Sequence, residues 1–136
     1  MNERSEKGRK GRVSGRLFEL KVRKHLEKAG WIVAKWTNNV DFDEQGVGVL
    51  APAKRKYNPF TKFTSFGNGF PDFISFRMND AGAYEVRGVE VKSRGYLDKE
   101  ERAKCVWLLE RRVFNSITIA KKGKQRGEIV YDEFKM

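Results

Sequence analysis

The chain reads as an α/β domain with a single mixed central β-sheet flanked by helices. Three observations predict this class. An apolar stripe at helical spacing opens the chain. Two segments rich in Phe, Ile and Val, FPDFISFR and EVRGVEVKS, are joined by an Asn-Asp-Ala-Gly turn signal. A second, capped helical pattern then leads into two more strand-like runs. With 136 residues the chain fits one domain, which buries roughly two-thirds of its unfolded surface on folding.

Residues 1–12 are Gly, Lys, Arg, Glu and Ser with one Met and one Asn and no periodicity. They read as a basic mobile arm ahead of one domain spanning 13–136. Residues 14–29 read as a helix, with Gly15, Phe18, Val22, Leu26 and Ala29 on one stripe. Ser14 is the expected N-cap and Gly30 the expected left-handed C-terminal residue. Glu19 lies about 60° from the centre of the apolar stripe, at the edge of the buried face. WIVAKW, residues 31–36, reads as a strand entering the core.

Residues 37–69 form a flap or hairpin insertion. It holds an acidic patch, Asp41, Asp43 and Glu44, which reads as a solvated loop rather than an accessory metal site. Its second half mixes Lys54, Arg55, Lys56 and Lys62 with Tyr57, Phe60, Phe63 and Phe66. That mixture suits a nucleic-acid surface, because cations bind phosphates and aromatic faces stack on bases. It equally suits a flap whose aromatics pack on the domain.

The strands at 70–77 and 85–93 form an antiparallel hairpin. A second helix spans 99–112, with Asp98 as N-cap and Glu101 completing a capping box. Ala103, Val106, Trp107 and Leu109 are its expected buried face. FNSITIA (114–120) is a further strand, KKGKQRG a basic turn and EIVYDEF a last short strand.

Charge narrows the function. Lys and Arg number 29 against 18 Asp and Glu, a net +11. Cationic side chains on phosphates release condensed counterions, so nucleic acid is the first partner to consider. Arg9, Lys10, Arg12, Arg16, Lys54, Arg55, Lys56 and Lys62 are the expected phosphate contacts. No apolar run approaches the ~20 residues of a membrane span. MNERSEKGRKGR has no apolar stretch after it and does not read as a secretory signal. The single cysteine, Cys105, leaves no partner for a disulfide and no Cys-rich zinc site, which fits a reducing, intracellular setting in cytoplasm or nucleoid. Cys105, His25, Trp31, Trp36 and Trp107 read as packing or surface residues.

The chemistry rests on the hairpin. Side chains alternate faces along a strand. A turn centred on Ala81 places Asp72 opposite Glu90, with Cβ atoms ~5 Å apart. Two carboxylates that close repel unless a cation sits between them. A hard divalent ion takes such oxygen ligands together with water and phosphate oxygens. Lys92 follows Glu90 on the same face. Its ammonium can position water or offset charge on a phosphate. Gly67, Gly69 and Gly88 are expected to leave room for a phosphate backbone. A Glu-x-Lys alone is ordinary strand alternation; the combination with Pro71-Asp72 inside apolar strands is not.

Pro71-Asp72 followed by Glu90-Val91-Lys92 resembles the PD-(D/E)XK nuclease superfamily. The resemblance implies a restriction-endonuclease-like core and Mg²⁺ or Mn²⁺ as cofactor. It implies Asp72, Glu90, the Val91 carbonyl and Glu19 as metal ligands, with Lys92 beside them as base or electrostatic stabiliser. GRLFELKVRKHLEKAGW is similar to archaeal-type Holliday-junction resolvases, and GNGFPDFISF with GVEVKSRGYLDKEERAKCVWLLERR to the VRR-Nuc group. The long flap, and Lys104 where Gln is often found, depart from both. The resemblance implies a structure-selective endonuclease acting on branched DNA, as a two-fold dimer. Two alternatives stand beside it: a non-catalytic nucleic-acid-binding module, and an RNA-directed or restriction-type nuclease on the same fold.

Overall fold

A five-stranded mixed sheet forms the centre of the molecule, with a helix on each face. The computed structural model describes the backbone of residues 3–66 and 69–136. It describes their side chains except at 3–7, 55–58 and 63–66. In chain order the elements are α1 (Glu3–Lys28), β1 (Ile32–Lys35), β2 (Asn38–Phe42), β3 (Gly48–Pro52), β4 (Arg55–Asn58), β5 (Phe63–Phe66), β6 (Phe73–Met78), β7 (Tyr84–Val91), α2 (Lys99–Glu110), β8 (Ser116–Lys122) and β9 (Ile129–Glu133). The sheet order is β1-β6-β7-β8-β9. Only β7 and β8 pair in parallel, because α2 carries the chain back between them.

α1 covers one face. Phe18, Val22 and Leu26 bury their stripe against Val33, Phe73, Val89 and Ala120. The helix is longer than that stripe: it begins at Glu3, so Ser14 lies within it rather than capping it. The expected mobile arm of residues 1–12 is therefore helical from Glu3 onward. Residues 8–14 are exposed; Arg9, Lys10 and Arg12 are good helix formers that offset Gly8 and Gly11, and the helix continues here from the packed stripe. Gly30 ends the excursion at φ 93°, as its position demanded.

α2 covers the other face together with the β2–β3 hairpin. Cys105 and Leu108 are fully buried and join Val40, Phe70, Phe114, Ile117 and Ile119. This corrects the expected face of the helix. Ala103 is exposed, and Val106, Trp107 and Leu109 are only half-buried. A 12-residue helix with apolar residues at adjacent positions admits more than one stripe, and the sheet selects the one through Cys105. The capping box forms as expected: Glu101 N donates to Asp98 Oδ1 at 2.8 Å, and Asp98 N to Glu101 Oε1 at 3.0 Å.

The 37–69 insertion consists of two hairpins, β2–β3 and β4–β5, each its own two-stranded sheet. The first packs on the domain through Val40 and Phe42. Its turn is held by Asp43, whose Oδ1 accepts from Gln45 N and Val47 N at 2.9 Å each. The acidic patch is solvated as expected, but only Asp43 and Glu44 lie in the turn; Asp41 is an exposed residue of β2. No described helix is long and apolar enough to cross a membrane.

Candidate active site

The hairpin between β6 and β7 fixes the site. Its turn is set by Asn79, whose side-chain oxygen accepts from Ala81 N and Ala83 N at 3.0 Å each, with Gly82 at φ 82°. Every ladder pair from Met78–Tyr84 to Phe73–Val89 is centred on Ala81. One step further, Asp72 stands opposite Glu90, the register expected from the sequence.

The two residues are tied together. Val91 N donates to Asp72 Oδ2 at 2.8 Å, and Asp72 N donates to Glu90 Oε1 at 3.1 Å. Each carboxylate therefore takes a main-chain amide of the opposite strand. The Val91 N–H points toward β6, and a strand residue presents its C=O to the same side. The residue opposite Val91 in this register is Pro71, which has no N–H to give. A carbonyl on that side of Val91 thus has no ladder donor at Pro71.

Glu90 faces α2, beside Ile119 on β8, and its side chain is 7% exposed. Burial raises its pKa far above the usual carboxylate range; the Asp72 charge and hydrogen bond add to this, and Lys92 opposes it. Lys92 Nζ stands 3.8 Å from Glu90 Oε2 but 2.5 Å from Glu101 Oε2. Burial alone lowers the Lys92 pKa, but the Glu101 hydrogen bond and the charges of Glu90, Glu101 and Asp72 outweigh it and raise the pKa overall. Glu101 is the functional neighbour that the sequence did not disclose. Its capping role was legible there, but its ion pair is made across the fold.

Glu19 meets Asp72 from α1. The two line a small cavity of about 80 Å³ with Lys35, Trp36, Gly69 and Phe73. Burial raises the Glu19 pKa, the Asp72 charge adds to it, and Lys35 opposes it. Asp72 thus lies at the end of the sheet with Glu90 on one side and Glu19 on the other. Among the described residues, no three acidic, His or Cys side chains stand close enough together to hold a metal ion as they are. The available donors are all oxygens, and the cavity beside Asp72 exceeds the ~15 Å³ that one water needs.

The glycine expectation is corrected. A Cβ on Gly88 would meet Pro71 Cγ at 2.9 Å and Phe114 at 3.3 Å, and one on Gly69 would strike the Trp36 and Asn38 backbone. Both glycines admit neighbouring protein atoms, not a phosphate backbone; Gly67 lies outside the described residues. Cys105 is inert packing: burial first, then the charges of Glu90 and Glu101, push its thiol up to about 12. His25 is exposed and pairs through Nδ1 with the Tyr131 hydroxyl at 2.8 Å.

The expected phosphate contacts lie on α1, where Arg16 is one turn from Glu19, and in the insertion. Arg9, Lys10, Arg12 and Arg16 are exposed on α1. Arg9 is about 15 Å along the helix from Glu19 at 1.5 Å per residue. Lys54 and Lys62 are exposed at the turns that flank β4 and join β4 to β5. The side chains of Arg55, Lys56, Tyr57, Phe63 and Phe66 lie outside the described residues, while Phe60 is 94% exposed. No family model, curated protein or solved structure matches the chain.

Proposed function

We propose that the protein is a metal-dependent endonuclease of the PD-(D/E)XK type, hydrolysing DNA phosphodiesters, with branched DNA as its preferred substrate and a dimer as its working form. The single observation that carries the reading is the crossed pairing of Asp72 and Glu90. Each carboxylate is anchored by the opposite strand's amide, and Glu90 is buried where its charge is unwelcome. Folding brings two acidic groups together at a cost unless a cation joins them.

Mg²⁺ or Mn²⁺ suits the donor set. Asp72, Glu90 and the Val91 carbonyl would hold it, with Glu19 reaching it through water from across the Asp72 cavity. Such an ion, when bound, acidifies its water and polarises the phosphoryl oxygen. The protein's own contribution is positional. The hairpin register holds the two carboxylates, and Glu101 holds the Lys92 ammonium beside Glu90. There Lys92 can orient an attacking water or offset charge on the phosphate. Water adds to phosphorus and gives up a proton to solvent, the P–O bond to the leaving sugar oxygen breaks, and that oxygen takes a proton back from solvent.

A second reading has its own support. Lys92 closes on Glu101 more tightly than on Glu90, and a Lys neutralised in this way is what a non-catalytic nucleic-acid-binding module would tolerate. A cleavage panel separates the two. Wild-type and Asp72→Asn protein are incubated with Mg²⁺ or Mn²⁺ and duplex, flapped, four-way-junction, single-stranded and RNA substrates. Under the nuclease reading the wild type cuts at least one DNA and Asp72→Asn loses at least about 10²-fold while still binding. If the wild type cuts nothing, the binding module stands. Cutting of RNA alone moves the substrate class and leaves the chemistry.

A further inference from the structure

α1 and the β8–β9 turn enclose a cleft of about 400 Å³ whose floor is Phe18 and Ile129 and whose rim is cationic: Lys21, Lys122, Lys124 and Arg126. A second cleft of about 500 Å³ adjoins it across Lys122-Gly123-Lys124 and adds Arg94. Lys121 is committed to Asp132 at 2.7 Å. Lys21, Arg94, Lys124 and Arg126 form no ion pair among the described residues. Lys122 lies over the Phe18 ring, 5.4 Å from its centroid. Glu128, the one carboxylate in the lining, is bound to the turn itself: its Oε2 accepts from Gln125 N at 3.3 Å. The turn is further closed by Gly123 N to Glu128 O at 2.9 Å and Glu128 N to Gln125 O at 3.1 Å. The cations are therefore presented on a built loop, which loses little freedom on binding an anion.

The placement of this cleft relates it to the site. β8 runs parallel to β7, so its last residues lie at the same end of the sheet as Glu90 and Lys92. Lys122 N donates to Ser93 O at 3.1 Å, directly beyond Lys92. β8 lies two strands from β6, about 10 Å in the hydrogen-bonding direction. The cleft opens on the α1 face, from which Glu19 meets Asp72, whereas Glu90 faces α2, so a strand passing from one to the other covers a few nucleotides.

We propose that the cleft between α1 and the β8–β9 turn is a second backbone-binding site, holding phosphates a few nucleotides from the phosphate at Asp72 and Glu90. The direction of the strand rests on the nuclease reading; the affinity of the cleft for phosphates does not. These cations differ from the α1 overhang and the β4–β5 flap residues to which the sequence pointed.

The test is fluorescence anisotropy of a fluorescein-labelled 20-nucleotide single strand, without metal, across a salt series. Lys21→Gln, Lys124→Gln and Arg126→Gln are combined in one full-length chain. A control chain combines Lys28→Gln, Arg111→Gln and Arg112→Gln, which remove the same charge at the helix C-termini, away from the cleft. The cleft variant is expected to bind about tenfold or more weakly at 0.1 M salt, and its slope of log affinity against log salt to fall by about 2. The control is expected to shift both much less. Equal losses in the two chains overturn the cleft and reduce the effect to net charge. No binding by the wild type overturns the cleft and leaves the nuclease reading to the cleavage panel. Binding with the expected loss but no cleavage by the wild type keeps the cleft and removes only the nuclease reading.

Discussion

Glu90→Gln should stabilise the metal-free protein, although it removes a proposed ligand. The Glu90 side chain is 7% exposed, with Asp72 beside it and Lys92 turned toward Glu101. Its pKa is raised in the folded state. Folding near neutrality must therefore either protonate this carboxyl or bury its charge. Protonation at pH 7 of a group with an unfolded value near 4.5 costs about 3 kcal/mol at 1.36 kcal/mol per unit. That cost is the ceiling on what an uncharged isostere recovers, so about 1–3 kcal/mol is expected back on substitution. Gln keeps the Oε1 that accepts from Asp72 N, so the strand contact survives. The sign of the pH dependence follows from a raised acid. The native state binds the extra proton, so the Glu90 contribution is least unfavourable below about pH 4.5, and stability is lost as pH rises from there toward the folded value. The stability gap between variant and wild type should thus be small at pH 4.5 and widen by pH 8. Urea unfolding in EDTA at the two pH values measures it. Added Mg²⁺ or Mn²⁺ should stabilise the wild type and not the variant. A Glu90→Gln protein no more stable than wild type at pH 8, or a gap independent of pH, would refute the account of Glu90 as a carboxylate held against its charge.

Three further outcomes follow from the same geometry. Glu101→Gln keeps a residue competent for the capping box, so unfolding free energy should change by less than about 1 kcal/mol. Lys92 loses its 2.5 Å partner, and single-turnover cleavage should fall about tenfold with DNA affinity little changed; an unchanged rate would mean that Lys92 is positioned without Glu101. Gly88→Ala should cost about 1–3 kcal/mol in denaturant unfolding, because its Cβ meets Pro71 and Phe114 at 2.9 and 3.3 Å. A neutral result there would show that the Pro71 packing yields freely. Cys105, fully buried with its thiol pushed up to about 12, should not react with a thiol reagent at pH 8 until the protein is unfolded. Rapid labelling of the native chain would contradict its place on the buried face of α2.

Local sequence determined the register of the central hairpin and the boundaries that turns and caps set around it. Asn79 and Gly82 impose a turn whose geometry follows from their own side chain and φ, and strand alternation then carries Asp72 to Glu90. Asp98 and Glu101 start α2 through contacts three residues apart, and Gly30 ends α1 by its positive φ. These interactions span few residues, so their partners are visible in the string of letters. What required the tertiary structure depends on which surfaces meet. α2 buries Cys105 and Leu108 because of what the sheet and β2 present to it, not because of its own periodicity. Gly69 and Gly88 admit Trp36, Asn38, Pro71 and Phe114, which lie from 17 to 33 residues away in sequence. The Lys92–Glu101 ion pair, the Glu19 cavity and the basic cleft join α1, β7, α2 and the β8–β9 turn. No sequence spacing encodes such meetings, because they arise only when the sheet places distant segments at its common end.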